Sequence, residues 1–333
     1  MPMTSCEFFV RDLRARLAIV PAAVLRSLIA ALFALASAFV AAQTATRNAP
    51  EAFDGRLLPA IGALERGDFT QAVESLKPVA ALGSVEARYL LGIAYELAPD
   101  SAGGVKAARA VYLEAARAGH PGAQNNLGAM LIDGRGGDRD EIEAARWYAQ
   151  AAAQGSLEGQ YNLALLHGRG RGVARDDAEM ARLLTLAAEQ GYARAQAQLG
   201  RLYLDGVGVR ESPPLAKKWI EAAARQGHVG AQHILGTLYQ KGIGTARDFD
   251  AALAWFTRSA QSGNRAAMEE VARIHELGLG TPADPVLAAE WRAKAAGIQP
   301  ARRAAAPAGR ADDASRPEAQ DSTKPQEPIE RTP

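Results

Sequence analysis

The sequence predicts an all-α protein, a right-handed α-α superhelix (solenoid) of about six to seven helix-turn-helix repeats, each 36 residues long. Three observations predict it. A leucine or valine followed by a tiny residue recurs every 36 residues. All four tryptophans of the chain occupy one other position of the same repeat, and a glycine closes each unit. These columns stay in phase over six units, so a stack of similar helix pairs is expected.

The first helix of each repeat is predicted from apolar residues spaced four apart, which form one stripe on a helix. The blocks begin at Ala87, Ala123, Gly159, Ala195, Ala231 and Ala267. A glycine inside a helix costs about 1 kcal/mol relative to alanine. A column of tiny residues inside these helices therefore predicts close approach of a second helix. That column is Gly92, Gly128, Ala164, Gly200, Gly236 and Ala272.

The second helix of each repeat is predicted from one position that holds Trp147, Trp219, Trp255 and Trp291. Alanines follow this position, as in the segment 218–224, so a large side chain is expected beside small ones. The closing glycines are expected as left-handed residues that end the second helices. They are Gly83, Gly119, Gly155, Gly191, Gly227 and Gly263.

Residues 195–209 (AQAQLGRLYLDGVGV) and 217–227 (KKWIEAAARQG) closely resemble the Sel1-like repeat, a relative of the tetratricopeptide repeat with a longer unit. The resemblance covers six repeats in residues 83–298. Residues 55–82 are interpreted as a degenerate N-terminal capping repeat, with helices at 57–66 and 69–81. The segment 97–104 (LAPDSAGG) departs from the Gly-x-Gly turn of the family.

The two ends of the chain differ from the repeats. Residues 1–42 combine a basic segment with 15 uncharged residues, Leu28 to Ala42, which is short for a membrane span and typical of a signal peptide. Cleavage is expected after Ala42, with the position after Ala38 as second choice; the alternative is an uncut anchor. Residues 299–333 are rich in proline and charge, which predicts a disordered tail.

Composition excludes several kinds of chemistry. The 38 basic and 37 acidic residues nearly cancel, so no nucleic-acid partner is predicted. The one cysteine, Cys6, precedes the expected cleavage point, which leaves no thiol for catalysis, disulfides or zinc. Neither a nucleophile motif nor a cluster with metal-ligand spacing is found, so no catalytic residue, metal or cofactor is predicted. A membrane is expected as a partner only through an uncut signal segment.

The glycine pairs and histidines are assigned to the repeat. Gly206-Val207-Gly208 and its equivalents follow helices, whereas phosphate-binding loops follow strands, so turns are predicted. Arg169, Arg171 and Arg175 make one turn basic. His167 and His275 occupy a position that is tyrosine in other repeats, and they are expected in or near the core. His120 and His228 are expected in turns, and His233 on the inner face.

The first helices of such a solenoid line its concave side, and the residues facing the groove are free to vary. If the geometry resembles that of tetratricopeptide repeats, three positions of each first helix face the groove. A peptide or protein segment is predicted to bind there, since aromatic residues and arginine are enriched at interface hot spots. The predicted contact residues are Tyr89, Ile93, Asn125, Tyr161, Leu165, Arg201, His233, Gln240, Glu269 and Arg273.

The predicted function is a non-catalytic scaffold or adaptor of a bacterial cell envelope, periplasmic or secreted, that binds a protein or peptide of unknown identity on its concave face. The resemblance implies such adaptor roles. Two alternatives remain. One is a hydrolase directed at the cell wall or at β-lactams, although the paired cysteines of relatives proposed for such activity are missing. The other is a structural subunit of a polysaccharide export machine.

Overall fold

A computed structural model describes residues 55–98 and 104–297. Within these ranges every regular element is helical, and the elements follow one another as a succession of helix pairs. The predicted signal peptide (1–42) and the predicted tail (299–333) lie outside the described residues.

Fourteen α-helices make up the described part, preceded by a 3₁₀ turn at Gly55–Leu57. We number them α1 to α14, so that the first helix of each repeat has an odd number and the second an even number. The bounds are α1 Leu58–Arg66, α2 Phe69–Ala81, α3 Val85–Leu97, α4 Gly104–Arg117, α5 Pro121–Asp133, α6 Glu141–Ala153, α7 Leu157–Arg169, α8 Asp177–Glu189, α9 Ala193–Asp205, α10 Pro213–Arg225, α11 Val229–Lys241, α12 Phe249–Gln261, α13 Arg265–Leu277 and α14 Pro285–Ala295. Repeats 1 to 7 are the successive pairs α1–α2 to α13–α14.

Side chains at fixed positions cap the start of most of the helices. Asp140, at the start of α6, accepts a hydrogen bond from the backbone N–H of Glu143, and an aspartate has the same role before α8, α12 and α14. Before the first helices the cap varies: Ser84 and Ser156 use a hydroxyl, His120 and His228 use Nδ1. The helix boundaries therefore follow from local sequence.

The close approach of the two helices within a repeat is confirmed. A Cβ added at Gly236 would lie 2.7 Å from Cδ1 of Phe256, and one at Gly200 would lie 2.5 Å from Cγ1 of Ile220. The tryptophans are not the side chains that fill this contact. Ile220 does so, whereas its neighbour Trp219 is half-buried and packs against a hydrophobic cluster formed by residues of α6 to α9. The small residue of the first helix is therefore contacted by the residue that follows the tryptophan position in the second helix.

Successive repeats are joined through the turns. Gly208 has a φ of 67° and lies so close to repeat 4 that an added Cβ would be 1.9 Å from the carbonyl oxygen of Asp177. Gly172 and Gly244 make the same approach to the preceding repeat. The second glycine of each Gly-x-Gly pair is thus required twice, by its positive φ and by the close approach of the backbone. This confirms the prediction of turns.

Consecutive helices pack along the whole described chain, and first helices of neighbouring repeats also approach one another, α3 with α5 and α5 with α7. The core is a series of clusters of alanines with larger residues such as Tyr112, Leu184 and Phe256, all fully buried. Since each cluster includes residues of adjacent helices, the repeats share one continuous core, as a solenoid requires.

Candidate functional site

The ten predicted contact residues all lie on first helices. Arg201 and Glu269 are exposed, the other eight are half-buried, and none belongs to the fully buried core. They are distributed as Tyr89 and Ile93 on α3, Asn125 on α5, Tyr161 and Leu165 on α7, Arg201 on α9, His233 and Gln240 on α11, and Glu269 and Arg273 on α13.

Tyr89 is held between repeats 2 and 3. Its ring stacks on that of His120, with the centroids 4.2 Å apart, and a Cβ added at Gly122 would come within 2.9 Å of the Tyr89 ring. Burial raises the pKa of Tyr89 to about 12. His120 is itself fixed, because Nδ1 accepts from the N–H of Ala123 and Nε2 contacts Glu86 at 3.0 Å. Tyr89 therefore packs between repeats as well as presenting an edge to solvent.

A polar network next to Tyr89 was not predicted. The hydroxyl of Tyr112 donates to Glu96 at 2.6 Å and accepts from Nδ2 of Asn126 at 3.2 Å. Arg135 of the next repeat pairs with the same carboxylate at 2.8 Å. Burial and the neighbouring Glu96 charge raise the pKa of Tyr112 well above its ordinary value. The network joins repeats 2 and 3 near the C-terminal end of α3, where Glu96 lies.

In the middle of the predicted surface, Tyr161 packs against residues of the next repeat. The Tyr161 ring contacts Tyr192 edge-on at 5.6 Å, and the guanidinium of Arg194 lies 5.8 Å from the Tyr161 centroid. Leu165, one turn further along α7, is half-buried. Asn125 accepts a hydrogen bond at 2.8 Å from Asn162 of the next repeat.

The C-terminal end of the predicted surface is organised around Glu270. Gln240 donates to its carboxylate at 3.1 Å and Arg273 at 2.9 Å. Burial alone would raise the pKa of Glu270, but these hydrogen bonds and the Arg273 charge outweigh it, so the pKa is lowered. His233 lies 5.5 Å from the Phe256 ring, and burial lowers its pKa against the opposing effect of Glu270.

Glu270 is not among the ten predicted contact residues, although the sequence carries a signal for its position. Asn126, Asn162 and Gln198 precede it at the same repeat position, so a fourth column is polar in four of six repeats. The column lies one residue after the first predicted position. Two of its side chains link first helices of neighbouring repeats: Asn162 bonds to Asn125, and Glu270 bonds to Gln240.

The basic turn after α7 is largely neutralised. Arg171 makes two hydrogen bonds to Glu141 of the preceding repeat, at 2.8 and 3.0 Å, and Arg175 pairs with Asp177 at 2.9 Å. The hydrogen bond from Arg171 lowers the pKa of Glu141, with a further contribution from Arg139. Two of the three arginines thus stabilise the turn, and Arg169 is exposed.

An open depression of about 400 Å³ lies on the second helix α10, away from the predicted contact residues. Pro214, Lys217, Glu221, Arg225 and Gly244 contribute to its lining. Lys217 and Arg225 both form ion pairs with Glu221. Their charges are therefore partly compensated within the helix itself.

Within residues 55–98 and 104–297, no three or more His, Cys, Asp or Glu side chains are grouped so that they could hold a metal ion. His167 and His275 are half-buried on α7 and α13, near the core as predicted. His120 and His228 cap α5 and α11. In the same described part of the chain, no helix has the length and apolar character needed to cross a bilayer.

The family model for the Sel1 repeat matches five consecutive segments, 121–156, 157–192, 193–228, 229–264 and 265–296. These are repeats 3 to 7; repeats 1 and 2 lie outside the match. No curated protein matches the chain at a significant level.

Two solved structures share the fold and about a third of the aligned residues. One is a protective antigen of uropathogenic Escherichia coli described as displaying an SLR fold, with 32% identity, a TM-score of 0.67, and coverage of 73% of this chain and 53% of the antigen. The other is a Sel1 repeat protein from Oxalobacter formigenes, with 30% identity, a TM-score of 0.64, and coverage of 76% of this chain and 100% of that protein. The match thus spans about half the length of the antigen.

Proposed function

Because the chain belongs to the Sel1 repeat family, whose members generally mediate protein–protein interaction, we propose that it is a non-catalytic scaffold of the bacterial cell envelope. In this proposal a peptide or protein segment binds along the inner face formed by the first helices. The observation that supports the proposal is that the ten predicted residues lie on first helices from α3 to α13 and that all of them are half-buried or exposed rather than fully buried.

The approach of α3 to α5 and of α5 to α7 supports the placement of the groove on this side. In a curved stack, the helices on the concave side come closer together than those on the convex side. A ligand on the concave side can therefore touch several repeats at once and combine many small contacts. Export rests on the sequence pattern of residues 1–42.

A pair of leucines in repeat 4 tests the binding face. Leu165 is half-buried on the first helix α7, and Leu186 is 38% exposed on the second helix α8. Leu165→Glu should abolish capture of partners from an envelope extract, identified by mass spectrometry, while Leu186→Glu leaves the same partners bound. Equal thermal melting curves for the two variants are the control. Loss of partners with Leu186→Glu alone would move the interface to the other face.

A second experiment separates the scaffold from an enzyme. Sel1 repeat proteins are typically non-catalytic, so the purified full chain should turn over neither peptidoglycan fragments nor a chromogenic β-lactam. Turnover that is lost on substitution of an inner-face residue would contradict the proposal.

N-terminal sequencing of the protein recovered from the periplasmic fraction tests export, with Gln43 as the expected first residue.

A further inference from the structure

The three predicted inner-face positions of each first helix lie two, six and nine residues after the block start, and the charges at these positions are almost all compensated within the protein. Five residues at these positions are formally charged, and four of them form ion pairs. The pairs are Glu96 with Arg135 at 2.8 Å, Glu269 with Arg265 at 3.5 Å, Arg273 with Glu270 at 2.9 Å, and Glu276 with Arg292.

Arg201 is the exception. It is exposed at the middle of the row of first helices, on α9, and no residue of the described part of the chain forms a hydrogen bond, ion pair or ring contact with it. A guanidinium has five N–H donors in a planar fork, which suits a carboxylate because two parallel hydrogen bonds can form. A carboxylate from outside the chain can therefore pair with Arg201 without displacing a partner among the described residues.

The residue one helical turn before Arg201 on α9 is small. At the first predicted position, Ala197 stands between Tyr161 of repeat 4 and His233 of repeat 6. Its methyl group is nearly buried, with 7% exposure, and it projects less than the rings of its two neighbours in the column. Arg201 follows one helical turn later on the same face, since residues four apart lie one above the other.

From these features we infer that the partner is an acidic peptide segment, and that an aspartate or glutamate side chain of this segment pairs with Arg201. The acidic residue lies beside Arg201 on α9, between the first helices α7 and α11 that carry Tyr161 and His233. The equivalent positions on the neighbouring first helices α7 and α11 hold Leu165 and Thr237, which carry no charge. The peptide is therefore expected to place one acidic residue at Arg201 and uncharged residues on either side of it. The inference rests on the proposed function, because it requires the inner face to be the binding face.

The test uses the full chain and a random peptide library displayed on phage. Peptides selected on the wild-type protein should contain more aspartate and glutamate than the starting library. The strongest binder is then synthesised with an amidated C-terminus, so that its only carboxylates are those of side chains. In the second version of this peptide, one acidic residue at a time is replaced by Asn or Gln. Binding of both versions is measured by fluorescence anisotropy.

For wild type, replacing the critical acidic residue should weaken binding roughly three- to tenfold, the range expected for one exposed charge pair strengthened by a bidentate geometry. For Arg201→Gln the two peptides should bind equally. Arg210→Gln, which removes an exposed arginine from the turn after α9, should behave as wild type. Glutamine is a good helix former, so the Arg201 variant is expected to fold normally.

Two results overturn the inference. One is a set of selected peptides without acidic excess, and the other is unchanged discrimination by Arg201→Gln. Both are distinct from failure of the proposed function. In that case the selected peptides would bind Leu165→Glu as tightly as wild type, which would place the peptide away from the first helices.

Discussion

Gln226 donates a hydrogen bond from Nε2 to Oε1 of Gln196 within repeat 5, across 2.7 Å. Gln196 is buried, and its own Nε2 donates to the carbonyl oxygen of Ala188 in repeat 4. One buried amide thus joins both helices of its repeat to the preceding repeat. Repeat 3 has the same arrangement, with Gln154 donating to Gln124 at 2.7 Å.

Repeat 6 breaks this series. Gln232 still donates to the carbonyl oxygen of Ala224, but Ser262 stands where the second glutamine stands in repeats 3 to 5. A serine is too short to reach, and Oε1 of Gln232 is buried without a hydrogen-bond partner among the described residues. A buried acceptor without a partner costs about 1–3 kcal/mol.

Ser262→Gln should therefore stabilise the protein. Ser262 and Gln226 end their helices with nearly the same backbone angles, φ −86° and −81°, so the new side chain needs no backbone change. We expect a gain of about 0.5–1.5 kcal/mol in the free energy of unfolding, the net value of one hydrogen bond. Urea denaturation followed by circular dichroism measures it.

The control for this prediction is the same substitution in a Gln232→Met background. Met268 occupies the corresponding position of repeat 7, so methionine fits this site in the repeat. Without the Gln232 acceptor, Ser262→Gln should give no gain. A gain of equal size in both backgrounds would mean that helix propensity, rather than the hydrogen bond, causes the stabilisation.

Two glycines of α11 should respond in opposite directions to substitution by alanine. At Gly236 the added methyl would lie 2.7 Å from the Phe256 ring, and overpacking of this kind costs about 1–3 kcal/mol. At Gly230 the nearest atom is Cε1 of His228 at 3.4 Å, and the higher helix propensity of alanine is worth up to about 1 kcal/mol. Thermal unfolding of Gly236→Ala and Gly230→Ala compares them.

Rescue identifies the cause of the Gly236 effect. Phe256→Leu removes the ring that the new methyl would meet. The double variant Gly236→Ala/Phe256→Leu should be less destabilised than the sum of the two single variants. Additive effects would show that the glycine is needed for a reason other than its contact with Phe256.

Substitution of two glycines in one turn distinguishes the cost of a positive φ from the cost of a steric clash with the neighbouring repeat. Gly206 and Gly208 both have positive φ, 65° and 67°, so alanine at either position costs about 1–2 kcal/mol. A Cβ at Gly206 would be 3.5 Å from its nearest neighbour, whereas one at Gly208 would be 1.9 Å from the carbonyl oxygen of Asp177. Gly208→Ala should therefore be roughly 1–3 kcal/mol more destabilising than Gly206→Ala in urea denaturation. Equal effects would contradict the role of Gly208 in joining repeats.

The sequence predicts the helices and the turns of this protein because their determinants are local and recur. The period of 36 locates Gly200 and Gly208, and both are where a side chain would collide with a neighbour. The period does not reveal which of two adjacent residues contacts Gly200, since the positions of Trp219 and Ile220 both repeat every 36 residues. That choice depends on the rotation of α10 about its axis, which packing decides.

The candidate site was predictable only in part, because its residues are defined by contacts between repeats. The position of Tyr89 on a first helix follows from the period, but its stacking on His120 depends on how repeat 3 docks. Tyr89 is therefore a poor residue for a binding test, since its removal also loosens packing. The lack of a partner for Arg201 is equally invisible in sequence.

His228 should make the stability of repeat 6 sensitive to acid. Its Nδ1 accepts a hydrogen bond at 3.1 Å from the backbone N–H of Ala231, which requires the neutral ring. Burial lowers its pKa below the ordinary value of 6.5, and the charge of Arg194 contributes in the same direction. Between the lowered pKa and 6.5 the unfolded chain binds more protons than the folded chain, so stability rises with pH in this window. The contribution of the cap is complete above pH 6.5 and is lost as pH falls through the folded-state pKa.

His228→Asn should remove this dependence and keep the cap, because Asn264 caps α13 in the same way, accepting from Ala267 at 3.2 Å. We expect the free energy of unfolding of the variant to change less than that of wild type between pH 7 and pH 5 in urea denaturation. His275→Asn is the control for the loss of a titrating ring elsewhere, since His275 lies within α13 and caps no helix. If the wild-type pH dependence persists in His228→Asn and disappears in His275→Asn, His275 rather than His228 causes the acid sensitivity, and the prediction is wrong. A slope shared by both variants would assign it to a carboxylate, such as Glu270, whose lowered pKa also makes stability fall as pH decreases, although at lower pH than a histidine.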